Sequence, residues 1–343
     1  MKPHRLRPYV LNLLLLILAA VLSAGVGSVF IPPMTLVRML LARLPGLAIQ
    51  ADWPQTFVTI LFEIRLPHCA LIALTGAALA SSGAAYQGLF RNPLADPYLI
   101  GVASGAGLGA VMAMSLHWPS DLFGLYTIPA AAFLGAVVTV AVVYFLARTG
   151  GSVPTTTLIL AGVAFGSFAT ALTSFLMLRS RSELQRALAW LLGGGVLSGW
   201  EPVGAMLPYV LIGMLVLAAS GHTLNVLQFG DEQARQLGMP VERRKVILIL
   251  AASLTTAAAV AFAGVIGFIG LIVPHLMRLI WGPDYRQLVL LSMLGGGTAL
   301  LLADLLARVV LAPQILPVGI VTALAGAPFF LWVLRRAKSQ GVW

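Results

Sequence analysis

Catalysis, metal binding and ion relay all need polar side chains gathered at a workable spacing, and this sequence offers few. Its five histidines, His4, His68, His117, His222 and His275, are scattered, and there is one cysteine, Cys69. No H-E-x-x-H pair exists to hold zinc, and no G-x-S-x-G elbow to raise a serine nucleophile. No glycine is followed by lysine, so the phosphate-cradling Walker A loop is missing too. A single cysteine excludes an internal disulfide framework and a cysteine-rich metal site; Cys69 reads as a small buried apolar residue. A membrane enzyme would cluster catalytic polar groups at one depth, and none cluster here. Asp304, in LLADLLAR, is the clearest acid within an apolar run, whereas a proton-coupled carrier usually needs ionisable groups along its spans. The chain reads as a pathway whose energy comes from elsewhere, with passive or ion-driven flux as the rival.

The densest polar stretch is LQFGDEQARQLGMPVERRK, Leu227 to Lys245. Gly230 and Gly238 bracket DEQARQL. Asp231 and Glu232 fall at the positive end of a short helix. Gly238 suits the left-handed position after its last turn, and Pro240 prevents continuation. Gly230 permits a sharp bend from the segment before it. The spacing predicts one or two turns lying flat on a membrane surface. Such a segment suits a docking knob for a soluble partner; a solvated loop is the plainer alternative.

The elements around it must be mostly membrane-embedded. Of 343 residues, 59% are hydrophobic and 9% charged, where a soluble domain carries about 25% charged. A span needs about 20 mostly apolar residues. Apolar runs predict ten, near 10–30, 66–85, 98–116, 127–147, 155–177, 202–220, 246–263, 265–281, 288–311 and 317–334, in one all-α transmembrane domain over 1–343. The pair 246–263 and 265–281 could instead be one broken span. Lys2, Arg5 and Arg7 precede the run Val10 to Gly27 as in a secretion signal. The run is as long as a span and lacks a clear cleavage site, so it reads as a retained first helix. The net charge of +10 does not indicate nucleic acid, because the basic residues are dispersed in short loops.

With ten spans both termini share a side, and that side takes 14 of the 21 basic residues, leaving 7 on the other. The asymmetry predicts both termini, and the stretch from Leu227, in the cytoplasm. Outside, 31–64 reads as a long loop with Pro32, Pro33, Pro45 and Pro54. Residues 182–192, SELQRALAWLL, read as a short helix capped by Ser182 and ended by Gly193, Gly194 and Gly195, lying near the outer surface or plugging something. GVASGAGLG sets Gly101, Gly105 and Gly109 on one helical face, and GVAFG repeats the spacing with Gly162 and Gly166. Such faces let helix backbones approach closely.

These strings carry a resemblance. RLPHCALIALTGAALASSGAAYQGLFRNPLADPYLIGVASGAGLGA, LILAGVA, GDEQARQLGMP, GVIGFIGLIVPHLMRL, LLLADLLAR and LPVGIVTALAGAPFFLWVL occur in this order between about Ile64 and Leu334. Together they resemble the FecCD family of bacterial ABC importer permeases, the type II importers of ferric siderophores, haem and cobalamin. The resemblance implies ten helices per subunit, a homodimer around a central path in the inner membrane, and two cytoplasmic ATP-binding subunits. It also implies a binding protein that delivers cargo from outside. ATP and magnesium would sit on the partner subunits, with no cofactor on this chain. Ferric siderophore is the favoured cargo, with haem or cobalamin as alternatives.

The same resemblance assigns roles. Coupling to the ATPase falls to Gly230, Asp231, Glu232, Ala234, Arg235, Leu237, Gly238 and Pro240, within a cytoplasmic loop over 221–245. Arg65 in IRLP and Arg308 in ADLLAR match arginines that, in the cobalamin permease, pair with glutamates of the binding protein. Arginine suits this because its fork grips a carboxylate at two points. Arg65 could instead snorkel at a helix end, and Arg308 could pair with Asp304 four residues back. A cytoplasmic gate is implied at Asn92 and Leu94 and at Thr155 and Thr156, and a periplasmic gate at helix 182–192. Thr170, Thr173 and Ser174 are candidate path-lining residues, although small hydroxyls in membrane helices often bond their own backbone. His68 is the one histidine worth testing.

Overall fold

In the computed structural model, α1 (Arg7–Gly25) leads through a turn to a short α2 (Pro33–Leu41), and α3 runs unbroken over Gln55–Leu89. Then follow α4 (Val102–Ser115), α5 (Thr127–Ala147), α6 (Thr155–Arg179), α7 (Leu184–Leu191), α8 (Trp200–Ala219), α9 (Gly221–Leu227) and α10 (Asp231–Gln236). The chain closes with α11 (Val241–Ala263), α12 (Ile269–Trp281), α13 (Tyr285–Val309) and α14 (Val318–Ser339). The structure describes residues 6–27, 29–45, 50–119, 121–122, 125–150, 152–195 and 197–339. Among these the strands are two residues each, Asp121–Leu122 paired antiparallel with Leu125–Tyr126. Seven described helices, α1, α3, α5, α6, α8, α11 and α13, are long and apolar enough to cross a bilayer, and α4, α12 and Val318–Val333 of α14 are shorter apolar helices. The chain is an all-helical, multi-pass membrane protein.

The expected outer loop over 31–64 is largely helical instead. Pro33 presets the first turn of α2, and after Pro54 nothing breaks a helix until Pro67. Pro67 does not end α3. It lacks an N–H, and its ring would strike the carbonyl four residues back. The helix widens into π turns over Ile60–Arg65, where the Leu66 N–H reaches the Leu61 carbonyl, and continues past the proline.

Glycines set the packing. Gly76 on α3 meets Gly296 on α13, Gly83 on α3 meets Gly270 on α12, and Gly105 on α4 meets Gly135 on α5, each with no room for a side chain. Gly101 is not on the α4 face with Gly105 and Gly109; it stands before the helix at φ +84°. The most apolar stretch of α11 is 78% buried and that of α6 only 22%, so α11 is central and α6 peripheral in the isolated chain.

α11 and α12 are two helices, not one broken span. The chain turns between them with Gly264 at φ +79° and Phe268 at φ +69°. The end of α7 is fastened there. The Val265 N–H reaches the Trp190 carbonyl (3.4 Å), and the Gly319 N–H at the start of α14 reaches that of Leu192 (3.0 Å). Gly193, at φ +80°, closes α7 through its own N–H on Trp190. Ser182 does not cap it: a 3₁₀ turn over Arg181–Glu183 places Glu183 before the helix, and no side chain bonds its first turn.

Candidate functional site

The stretch from Leu227 forms a compact polar unit where α9, α10 and α11 meet. Gly230 turns the chain at φ +103° and ψ 159°, a conformation for glycine. The last turn of α10 closes through Gly238 at φ +81°, with the Gly238 N–H on Arg235 (2.9 Å) and the Met239 N–H on Ala234 (3.0 Å). Pro240 then precedes α11. Ala234 is buried and fixes α10 to the bundle, while Glu232 and Arg235 face outward. Leu237 is 70% exposed and neighbouring Phe229 67%, two apolar knobs on a polar surface.

Two ion pairs fasten α10 to α11. Asp231 pairs with Lys245, whose side chain is 6% exposed. Arg235 donates to Glu242 (2.8 Å). The other oxygen of Glu242 accepts the Val153 N–H (3.2 Å), two residues before α6 begins. Sequence reasoning named Asp231 and Arg235 and missed Lys245 and Glu242. Their partners lie across a helix break at 14 and 7 positions, beyond the i+3 and i+4 reach of pairing within one helix.

The loop after α3 lies beside this unit. Gln228 donates to the Gly88 carbonyl (2.9 Å), and the Arg91 guanidinium stands over Gly230. Asn92 builds the loop, its side-chain oxygen accepting the Leu94 N–H (2.9 Å) and its own N–H reaching Gln87 (3.1 Å). Thr155 and Thr156 open α6 behind Pro154. The first loop thus lies against the start of α10 and the second is bonded to the first turn of α11, and no hydrogen bond joins Asn92 or Leu94 to either threonine among the described residues.

The two arginines meet at the C-terminus of α1, Arg65 from α3 and Arg308 from α13. Arg65 is buried, donating to the carbonyls of Ala24 (2.8 Å), Gly25 (3.0 Å) and Val29. Arg308 donates to Asp304 (2.9 Å), to the Ser23 hydroxyl (2.7 Å) and to the Ser23 carbonyl (3.2 Å). Together they satisfy the carbonyls that the C-terminus of α1 leaves open and lie against its negative end. His68 meets Asp304 from α3, Nε2 lying 3.0 Å from each oxygen. The pairing of Arg308 with Asp304 is thus realised. Arg65 does not snorkel at a surface, because backbone carbonyls hold it inside.

A cavity of about 880 Å³ opens between α4, α6 and the end of α7, lined by Asp96, Ser104, Gly162, Gly166, Thr170 and Leu191 among others. Of the three hydroxyls expected to line a path, Thr170 is on this wall, exposed and bonded to its own helix at Gly166 (2.8 Å). Ser174 is exposed and bonded to the Thr170 carbonyl (2.9 Å), outside the cavity wall. Thr173 is buried and bonded to Ala169 (2.8 Å). Thr173 falls in the buried stripe of α6 with Leu158, Gly162 and Ala169, at the inner edge of the face that carries Thr170.

Residues 15–336 match the FecCD transport family. The chain belongs to that family. It is 41% identical over 342 residues to the ABC transporter permease protein YvrB of Bacillus subtilis, covering 99% of this chain and 97% of that protein. It is 48% identical over 294 residues to the cobalamin import system permease BtuC of Halobacterium salinarum, covering 86% and 78% respectively. Among solved structures, a metal-chelate type ABC transporter in an inward-facing conformation superposes with a TM-score of 0.80 at 31% identity, over 96% of this chain and 98% of that one. In this FecCD family member α10 is linked through Glu242 to Val153, two residues before the helix that lines the cavity.

Proposed function

We propose that the chain is the permease of an ATP-driven importer for a bulky metal chelate. Ten elements cross the inner membrane, the seven long helices and the three shorter ones, with both termini in the cytoplasm. Two copies enclose the path, two ATP-binding subunits carry ATP and magnesium on the cytoplasmic side, and a binding protein delivers cargo from outside. The observation that carries this reading is α10: a short helix fixed at both ends by glycine turns and ion pairs, presenting Leu237 and Phe229 outward. A rigid polar segment with apolar knobs fits a socket for a soluble partner. The stretch around Arg65 and Arg308 faces the binding protein, and α7, wedged between the α11–α12 turn and α14, closes the outer end of the path.

The 48% identity to a cobalamin permease favours a corrinoid beside the ferric siderophore expected from sequence. Both are metal chelates of a size that suits a wall of small residues.

ATP-driven uptake of a ferric siderophore and of cobalamin into proteoliposomes holding the complete transporter tests this reading. Gly238→Pro should abolish uptake while leaving the protein in the membrane. Proline cannot adopt the positive φ of Gly238, and it removes the N–H that closes α10. Unchanged uptake by this variant would refute the coupling role.

A further inference from the structure

We infer that Glu242 is the positioning residue that passes movement of α10 to α6, the helix lining the cavity. The inference deepens the importer reading and rests on it. Glu242 lies in the first turn of α11 and divides its two oxygens between two elements. One accepts from Arg235 on α10 (2.8 Å), and the other accepts the Val153 N–H (3.2 Å). On the α10 side nothing is slack. Asp231 is paired with Lys245 one turn further along α11, so α10 and the start of α11 move as one body.

The α6 side is equally preformed. Thr149 and Ser152 exchange backbone hydrogen bonds (2.9 and 3.1 Å), and the Ser152 hydroxyl holds the Thr149 carbonyl (3.1 Å). Val153 is buried, Pro154 fixes the next φ at −62°, and α6 starts at Thr155. A shift of Val153 therefore carries the first turn of α6 with it, and Gly162, Gly166 and Thr170 on that helix form the cavity wall.

The same geometry predicts little cost to folding. Arg235 is 55% and Glu242 32% exposed, and half-exposed ion pairs add little stability. Loss of Glu242 should therefore uncouple the protein without unfolding it.

The test uses the reconstituted transporter with Glu242→Ala and Glu242→Gln, reading ATP-driven uptake, membrane abundance and amide exchange over residues 149–158. Losing a charged acceptor should speed exchange at Val153 about tenfold and lower uptake by a similar factor in Glu242→Ala. Its abundance should be unchanged. Glu242→Gln keeps an oxygen for the Val153 N–H and should retain most uptake, which a purely electrostatic role would not allow. The inference is overturned if Glu242→Ala leaves either exchange or uptake at the wild-type level. It is also overturned if Glu242→Ala fails to reach the membrane, which would make Glu242 a folding residue. Absence of ATP-driven uptake in the wild-type arm would sink the importer reading as well, whereas a flat Glu242→Ala beside an active wild type sinks the inference alone.

Discussion

Gly76 and Gly296 face each other backbone to backbone: a Cβ on either would enter the carbonyl of the other. This crossing of α3 and α13 brings Asp304 within reach of His68 two to three turns further on. Without a hydrophobic drive between helices in lipid, such close approach is what holds them. Gly296→Ala should lower stability by about 1–3 kcal/mol through overpacking. A thermal melt in detergent reads this, with Gly204→Ala as control, since a Cβ on Gly204 meets nothing within 4 Å.

Arg65→Ala should destabilise the fold far more than Arg38→Ala. The first removes the donor held by the Ala24 and Gly25 carbonyls at the end of α1 and by Val29 beyond it, a loss of about 1–3 kcal/mol for a buried group left unsatisfied. The second breaks a half-exposed pair with Asp52 worth about 0–1 kcal/mol. Equal melting temperatures for the two variants would refute the capping role of Arg65.

Asp284 supplies a pH test. It caps α13, accepting the Arg286 N–H (3.0 Å), and also accepts from the Arg286 guanidinium (2.8 Å) and from Asn225 (2.7 Å). The Arg286 side chain, then Asn225 and the backbone N–H, hold its carboxyl below the ordinary aspartate range against a smaller opposing cost of burial. A depressed folded pKa means that the stabilisation is complete above the unfolded pKa of about 3.9 and is lost as pH falls further. The wild type should lose stability below about pH 4 more steeply than Asp284→Asn. Parallel acid melts for the two proteins would contradict this.

Much of this organisation was legible in the residues. The bounds of α5 were read directly, because the run from Ile128 to Ala147 carries no charge and only Thr139 as a hydroxyl besides Tyr144. Gly238 was read from turn chemistry alone and lies in the expected left-handed region. What stayed hidden depends on the third dimension. The π turns that carry α3 past Pro67 come from a helix whose packing outweighs the proline penalty. The carbonyl partners of Arg65 lie 36 to 41 residues away, and the two donors to Glu242 lie on two different segments. The burial of Thr173 was not within reach, since it stands only three residues from the exposed Thr170 and the packing of α6 decides which of them is covered.

The proposed seat of a motor subunit is α10. The protein gently purified from its native membrane should bring an ATP-hydrolysing subunit with it, and deletion of Gly230 to Gly238 should release that subunit while the permease stays in the membrane. Purification that never yields an ATPase, or a deletion that leaves it bound, would contradict the account.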